Sequence, residues 1–194
     1  MTIILALVLA LPGTQPDKYK EPKPEFFIKS ESVTYCPVTG EYEFEIRFND
    51  EPDFYTVDEH SRQAYSFQYY VWYGGPFVYK EMPVVVRGGE IYDKGAVAVR
   101  AAWVGGSSGP PANGWGTLIY GAQYTQRNRT VSFSVPSSVF DDNTTILYKV
   151  FCGVYGGSTG TTENTSTTNP HCRPGKSTVA IHGTTWGDVK RMYQ

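Results

Sequence analysis

Residues Glu41–Phe48, EYEFEIRF, alternate without a fault between large apolar and charged side chains. Successive side chains of a strand point to opposite faces, so Tyr42, Phe44, Ile46 and Phe48 share one side and Glu41, Glu43, Glu45 and Arg47 the other. A helical period of 3.6 would scatter both sets around a cylinder. The segment is a half-buried strand, and the rest of the chain must supply a second layer over its aromatic face.

Residues 64–73, AYSFQYYVWY, read as the central aromatic strand of that layer, with Tyr65, Phe67, Tyr69, Val71 and Tyr73 on one face and Gln68, Tyr70 and Trp72 on the other. Further strand patterns occupy residues 26–36, 77–79, 84–87, 90–92, 96–103, 117–124, 130–135, 145–155 and 177–182, punctuated by Gly, Pro and Asn clusters. Residues 117–124 and 130–135 read as a hairpin, residues 136–143 as a turn or short helix, and residues 156–176 as a Gly/Thr/Asn-rich loop. Almost no segment has helical periodicity, and Tyr 15, Phe 10 and Trp 4 beside Gly 20 describe short aromatic strands joined by tight turns. The expectation is an all-β chain folded as an antiparallel two-sheet β-sandwich, jelly-roll-like, with about nine or ten strands. Its 194 residues suit one such domain over residues 26–194, preceded by a Pro-rich spacer at residues 11–25 and an apolar segment at residues 1–10.

Two readings compete for that apolar segment, whose residues 2–10 are TIILALVLA. A secretory signal has a basic n-region, an apolar core and a small-x-small cleavage site. Here the core and a site ending at Ala10 are present and the basic region is not. Read as a strand, the segment puts Ile3, Leu5, Leu7 and Leu9 on a bulky face and Ile4, Ala6, Val8 and Ala10 on a mostly small one. That is the pattern of a strand added to another sheet, its large residues filling successive pockets. Nine apolar residues are too few to span a bilayer. The spacer carries Pro12, Pro16, Pro22 and Pro24, and in extended polyproline geometry its length reaches about 45 Å, enough to bring the strand onto an adjacent molecule.

A formal net charge of −2 with dispersed bases gives no footprint for nucleic acid and no basic face for a membrane. Three cysteines allow three pairings; a Cys152–Cys172 bridge is expected, because it would restrain the low-complexity loop, leaving Cys36 as a buried thiol. No Cys-x-x-Cys or close histidine pair points to zinc.

Several candidate sites follow. Asp50, Glu51, Asp53, Asp58 and Glu59 crowd one loop with the oxygen ligands that calcium takes, though without EF-hand spacing. Tyr70 and Trp72, with Trp115 from the Gly-rich residues 104–116, would stack on a sugar if exposed; core or subunit contact is the commoner role of such rings. Glu41, Glu43 and Glu45 have no partner carboxylate marked for glycoside hydrolysis, and His60 has no nucleophile frame. Asn128, Asn143 and Asn164 each open an Asn-x-Ser/Thr glycosylation sequon, which together with the cysteines points to an extracellular, cell-surface setting.

In length and Tyr/Gly/Thr content the chain resembles the jelly-roll xylanases, but none of Glu41, Glu43, Glu45, Glu90 or Glu163 aligns with that family's catalytic pair, and no enzyme is expected. In its order of apolar N-terminal strand, spacer, aromatic sandwich and sequons, the whole chain is similar to the glycosylated β-sandwich subunits of archaeal surface filaments: bundling pili, threads and cannulae. That resemblance implies a self-assembling homopolymer built by donor-strand complementation, with Ile3, Leu5, Leu7 and Leu9 as the subunit-binding residues. The alternative is a secreted carbohydrate-binding β-sandwich module, with glycans as partners.

Overall fold

The computed structural model describes residues 23–55, 64–73, 84–89, 95–101, 118–154 and 157–173. These form an all-β sandwich. One sheet contains β1 (Ile28–Cys36), β2 (Glu41–Phe48), β7 (Thr125–Arg127), β8 (Thr130–Pro136) and β12 (Thr167–Thr168), in the order β12-β1-β2-β8-β7. The other contains β3 (Ser66–Trp72), β4 (Val84–Gly88), β5 (Ala96–Ala101), β6 (Leu118–Gln123), β9 (Leu147–Val154) and β10 (Gly157–Gly160), in the order β10-β9-β3-β4-β5-β6, with β11 (Asn164–Thr165) also on β9. Apart from the parallel β1–β12 pair, the ladders are antiparallel.

The alternation in β2 is realised residue by residue: Tyr42, Phe44, Ile46 and Phe48 are fully buried, whereas Glu43, Glu45 and Arg47 are exposed. Phe44 stacks on Phe133 within its own sheet at 4.9 Å and meets the edge of Tyr69 from the facing sheet at 4.9 Å. Tyr69 also donates its hydroxyl to the Glu45 carbonyl at 3.0 Å, so a polar group carried into the core is satisfied across the sandwich. Burial holds the Tyr69 hydroxyl well above the ordinary tyrosine range. Rings plug both ends of the core. Phe54 lies among Phe26, Phe48 and Phe67 at one end, and Phe140 meets Tyr42 and Tyr73 at the other. Gly88 is required beneath the Phe67 ring, where an added Cβ would stand 2.4 Å from Cζ.

Three expectations are corrected. First, β6 and β8 do not form a hairpin: β6 pairs with β5 in one sheet, the chain turns at Tyr124, and β7 pairs with β8 in the other. Second, the expected loop at residues 156–176 contains β10, β11 and β12. Third, the disulfide joins Cys36 to Cys172, not Cys152 to Cys172. Cys152 shares the inward parity of Tyr148 and Val150 in the middle of β9, opposite Phe67, so its thiol lies in the core. Burial pushes that thiol above the ordinary range. Cys36 instead ends β1, beside β12 and the segment that carries Cys172.

Candidate functional site

A two-sheet sandwich has two seams along which the sheet edges meet. Here the two seams are built differently.

The first lies between β1 and β9, and the polar segment after β10 closes it. The chain pairs with β9 through β11, crosses, and pairs with β1 through β12. At the crossing, buried Ser166 bonds reciprocally with Ile146: Ile146 N donates to Ser166 Oγ and Ser166 N donates to Ile146 O, both at 2.9 Å. Asn164 Nδ2 donates to Glu31 Oε1 at 2.6 Å, and Asn169 N donates to Tyr35 O at 2.9 Å. The Cys36–Cys172 disulfide fastens the end of the segment. Strand order here comes from hydroxyl and backbone bonds in place of an apolar face.

The second seam lies between β8 and β6, and among the described residues a strand pairs along part of its length only. Phe48 N donates to Arg129 O at 2.8 Å, which marks these two as a hydrogen-bonded pair. The two-residue period then aims the backbone groups of Val131, Phe133 and Val135 at β2 and those of Thr130, Ser132 and Ser134 the other way. Thr130 and Ser132 face Arg127 and Thr125 of β7. Ser134 comes next, and among the described residues no strand pairs with it on that side. Pro136 then ends the strand without an N–H to offer.

Across the seam, β6 pairs with β5 on one side alone among the described residues. Its register shifts between Val99 and Arg100, leaving Ile119 as an extra residue that is 46% exposed. Tyr120, opposite inward-facing Val99, is partly buried against the core, and burial together with the Glu41 carboxylate raises its hydroxyl pKa. The start of β6 therefore lies beside the β2–β8 end of the facing sheet. Ser134 therefore has a backbone edge that meets no strand among the described residues, beside the bulged strand β6, and its neighbours Phe133 and Val135 are buried in the core.

The other candidate residues fall as follows. Residues 2–10, including Ile3, Leu5, Leu7 and Leu9, lie outside the described residues, as do Asp58, Glu59 and Trp115. Of the acidic loop, Asp50 lies 4.0 Å from the exposed Arg129 guanidinium, and Asp53 Oδ1 accepts from Tyr55 N at 2.9 Å. Among the described residues no three His, Cys, Asp or Glu side chains converge to hold a metal ion. Tyr70 and Trp72 are half-buried; Tyr70 meets Phe151 edge-on at 5.0 Å and donates its hydroxyl to Gln68 Oε1 at 3.2 Å. The three sequons differ. Asn128 is exposed on the β7–β8 turn with φ 51°, a left-handed conformation that asparagine tolerates. Asn143 is half-buried, with Nδ2 on Phe140 O at 2.7 Å and its own carbonyl accepting from Tyr42 at 2.7 Å. Asn164 spends its Nδ2 on Glu31.

No helix among the described residues is long and apolar enough to cross a membrane. Neither a scan of protein-family models nor a search of curated proteins finds a match to this chain.

The sequence carried no direct signal for the second seam. Its markers are Pro136 at the end of an alternating strand and the break of the β6–β7 run at Tyr124, each unremarkable alone.

Proposed function

We propose that this protein is a structural subunit of an extracellular filament or tube, polymerising by insertion of residues 2–10 of one copy into the β8–β6 seam of the next. The observation that carries this reading is the backbone edge at Ser134, which meets no strand among the described residues, beside the bulged edge of β6. An added strand would take up the Ser134 N–H and carbonyl and turn Ile3, Leu5, Leu7 and Leu9 toward the core side of the seam. Burying four such side chains is worth about 6–12 kcal/mol before ordering costs. Donation from one copy to the next is heterologous, so it propagates as an open-ended assembly. The disulfide and the exposed Asn128 sequon support an oxidising, extracellular setting. The sugar-platform reading of Tyr70 and Trp72 has less support, because both rings are half-buried.

The test is Leu5→Asp with Leu7→Asp, examined by size-exclusion chromatography and negative-stain microscopy. Each change places an unpaired charge in an apolar slot, so polymers should vanish while the chain stays soluble and β-rich. Ala6→Ser, on the small face, should leave polymers intact. A wild-type protein that remains monomeric at high concentration would refute the proposal.

A further inference from the structure

Where β7 closes the second seam, the acidic loop and the corner at which the chain changes sheets border a partly open pocket of about 250 Å³. Its walls carry Glu51, Asp53 and Tyr55 from the loop and Tyr124 and Gln126 from the corner. Its base is Phe54, which is 2% exposed and held by Phe48, Phe67 and Tyr124, so the pocket rests on the rigid end of the core. Gln126 Nε2 donates to the Pro52 carbonyl at 2.8 Å, which fixes the carboxamide and ties the loop to the corner. Tyr55, by contrast, is 47% exposed and stands at the rim.

The lining selects among ligand classes. An anion would meet two carboxylates and, among the described residues of the walls, no cationic side chain. A wholly apolar ligand would strip water from the exposed Glu51 carboxylate and offer it no donor. A sugar ring answers both demands: its C–H face packs on a tyrosine ring, and its hydroxyls donate to the carboxylates. A volume of about 250 Å³ is that of a small pocket, with room for one ring. We propose that this pocket binds a single neutral monosaccharide residue, stacked against Tyr55, with its hydroxyls donating to Glu51 and Asp53. The site uses neither Ser134 nor residues 2–10 and stands whether or not the chain polymerises.

Saturation-transfer difference NMR on the full chain tests this with methyl glucoside, methyl galactoside, methyl mannoside, glucuronic acid and tetramethylammonium as probes. The method works on assemblies as well as monomers. At least one neutral glycoside should receive saturation, strongest at its ring protons, and glucuronic acid should receive little. Tyr55→Ala should weaken binding about tenfold. Gln126→Ala, which frees the loop, provides a second arm if Tyr55→Ala alters folding. Absence of signal from all three glycosides, an equal signal from glucuronic acid, binding of tetramethylammonium alone, or binding indifferent to both substitutions would each overturn the assignment.

Discussion

The two seams of this sandwich enclose the same kind of core and are finished in opposite ways. Between β1 and β9 the chain supplies its own closing segment, fastened by Ser166, Asn164 and the Cys36–Cys172 disulfide. Between β8 and β6 it supplies three residues of β7 and then leaves for the other sheet, so that Ser134 has no strand opposite it among the described residues. The closing segment is polar and short of apolar side chains. A seam can thus be sealed almost entirely by backbone pairing and a covalent tie. Edge strands need protection from unwanted pairing, and here Pro136 and the bulge at Ile119 limit what can pair there.

If the closed seam depends on its tie, replacing Cys36 and Cys172 by serine should have the largest effect on folding, a loss of about 2–5 kcal/mol, measured by denaturant unfolding. A change within error would show that the seam holds without it. Ser166→Ala should cost less, about 1–3 kcal/mol, because it leaves the buried Ile146 N–H without its hydroxyl acceptor. On the open seam the balance reverses: Ser134→Pro removes a donor that faces no described strand, so monomer stability should shift by no more than about 1 kcal/mol while assembly weakens. Equal losses of stability at Ser166 and Ser134 would erase the contrast between the seams.

Two smaller effects sharpen the picture. Burial pushes the Tyr42 hydroxyl up to about 12 and raises those of Tyr69 and Tyr148. A pKa raised in the folded state contributes stability that is fully present below the unfolded value and is lost as pH rises through the folded one. Thermal stability should therefore hold through neutral pH and fall from about pH 10 to 12, and Tyr42→Phe should flatten part of that fall. The smallest effect belongs to the surface: glycopeptide mapping should find Asn128 occupied in preference to Asn143 and Asn164, and Asn128→Gln should leave the unfolding midpoint unchanged.

Much of the core was legible because period-2 alternation is a strong signal where one face is buried, as in β2 and in the Phe67, Tyr69, Val71 face of β3. The closing segment was not, because β10 to β12 are Gly, Ser, Thr and Asn with no apolar period; their order comes from bonds to distant strands. The cysteine pairing held a usable clue. Cys152 shares the face of Tyr148 and Val150, and that inward parity places it out of reach of a surface segment. The change of sheet at Tyr124 left no composition signal, since both sides of the turn read as strand, and the open seam was hidden with it.

The most direct test of the account is disulfide trapping between two variants of the chain mixed after separate purification. One carries Ser134→Cys on the edge of β8; the other carries single cysteines placed in turn along residues 2–10. Because the cysteines reside on different molecules, any bond between them reports donation from one copy to another. The account expects rapid cross-linking at a few adjacent positions of the N-terminal segment and a ladder of covalent multimers when both cysteines are placed in one chain. Assemblies that form without any such cross-link would contradict it.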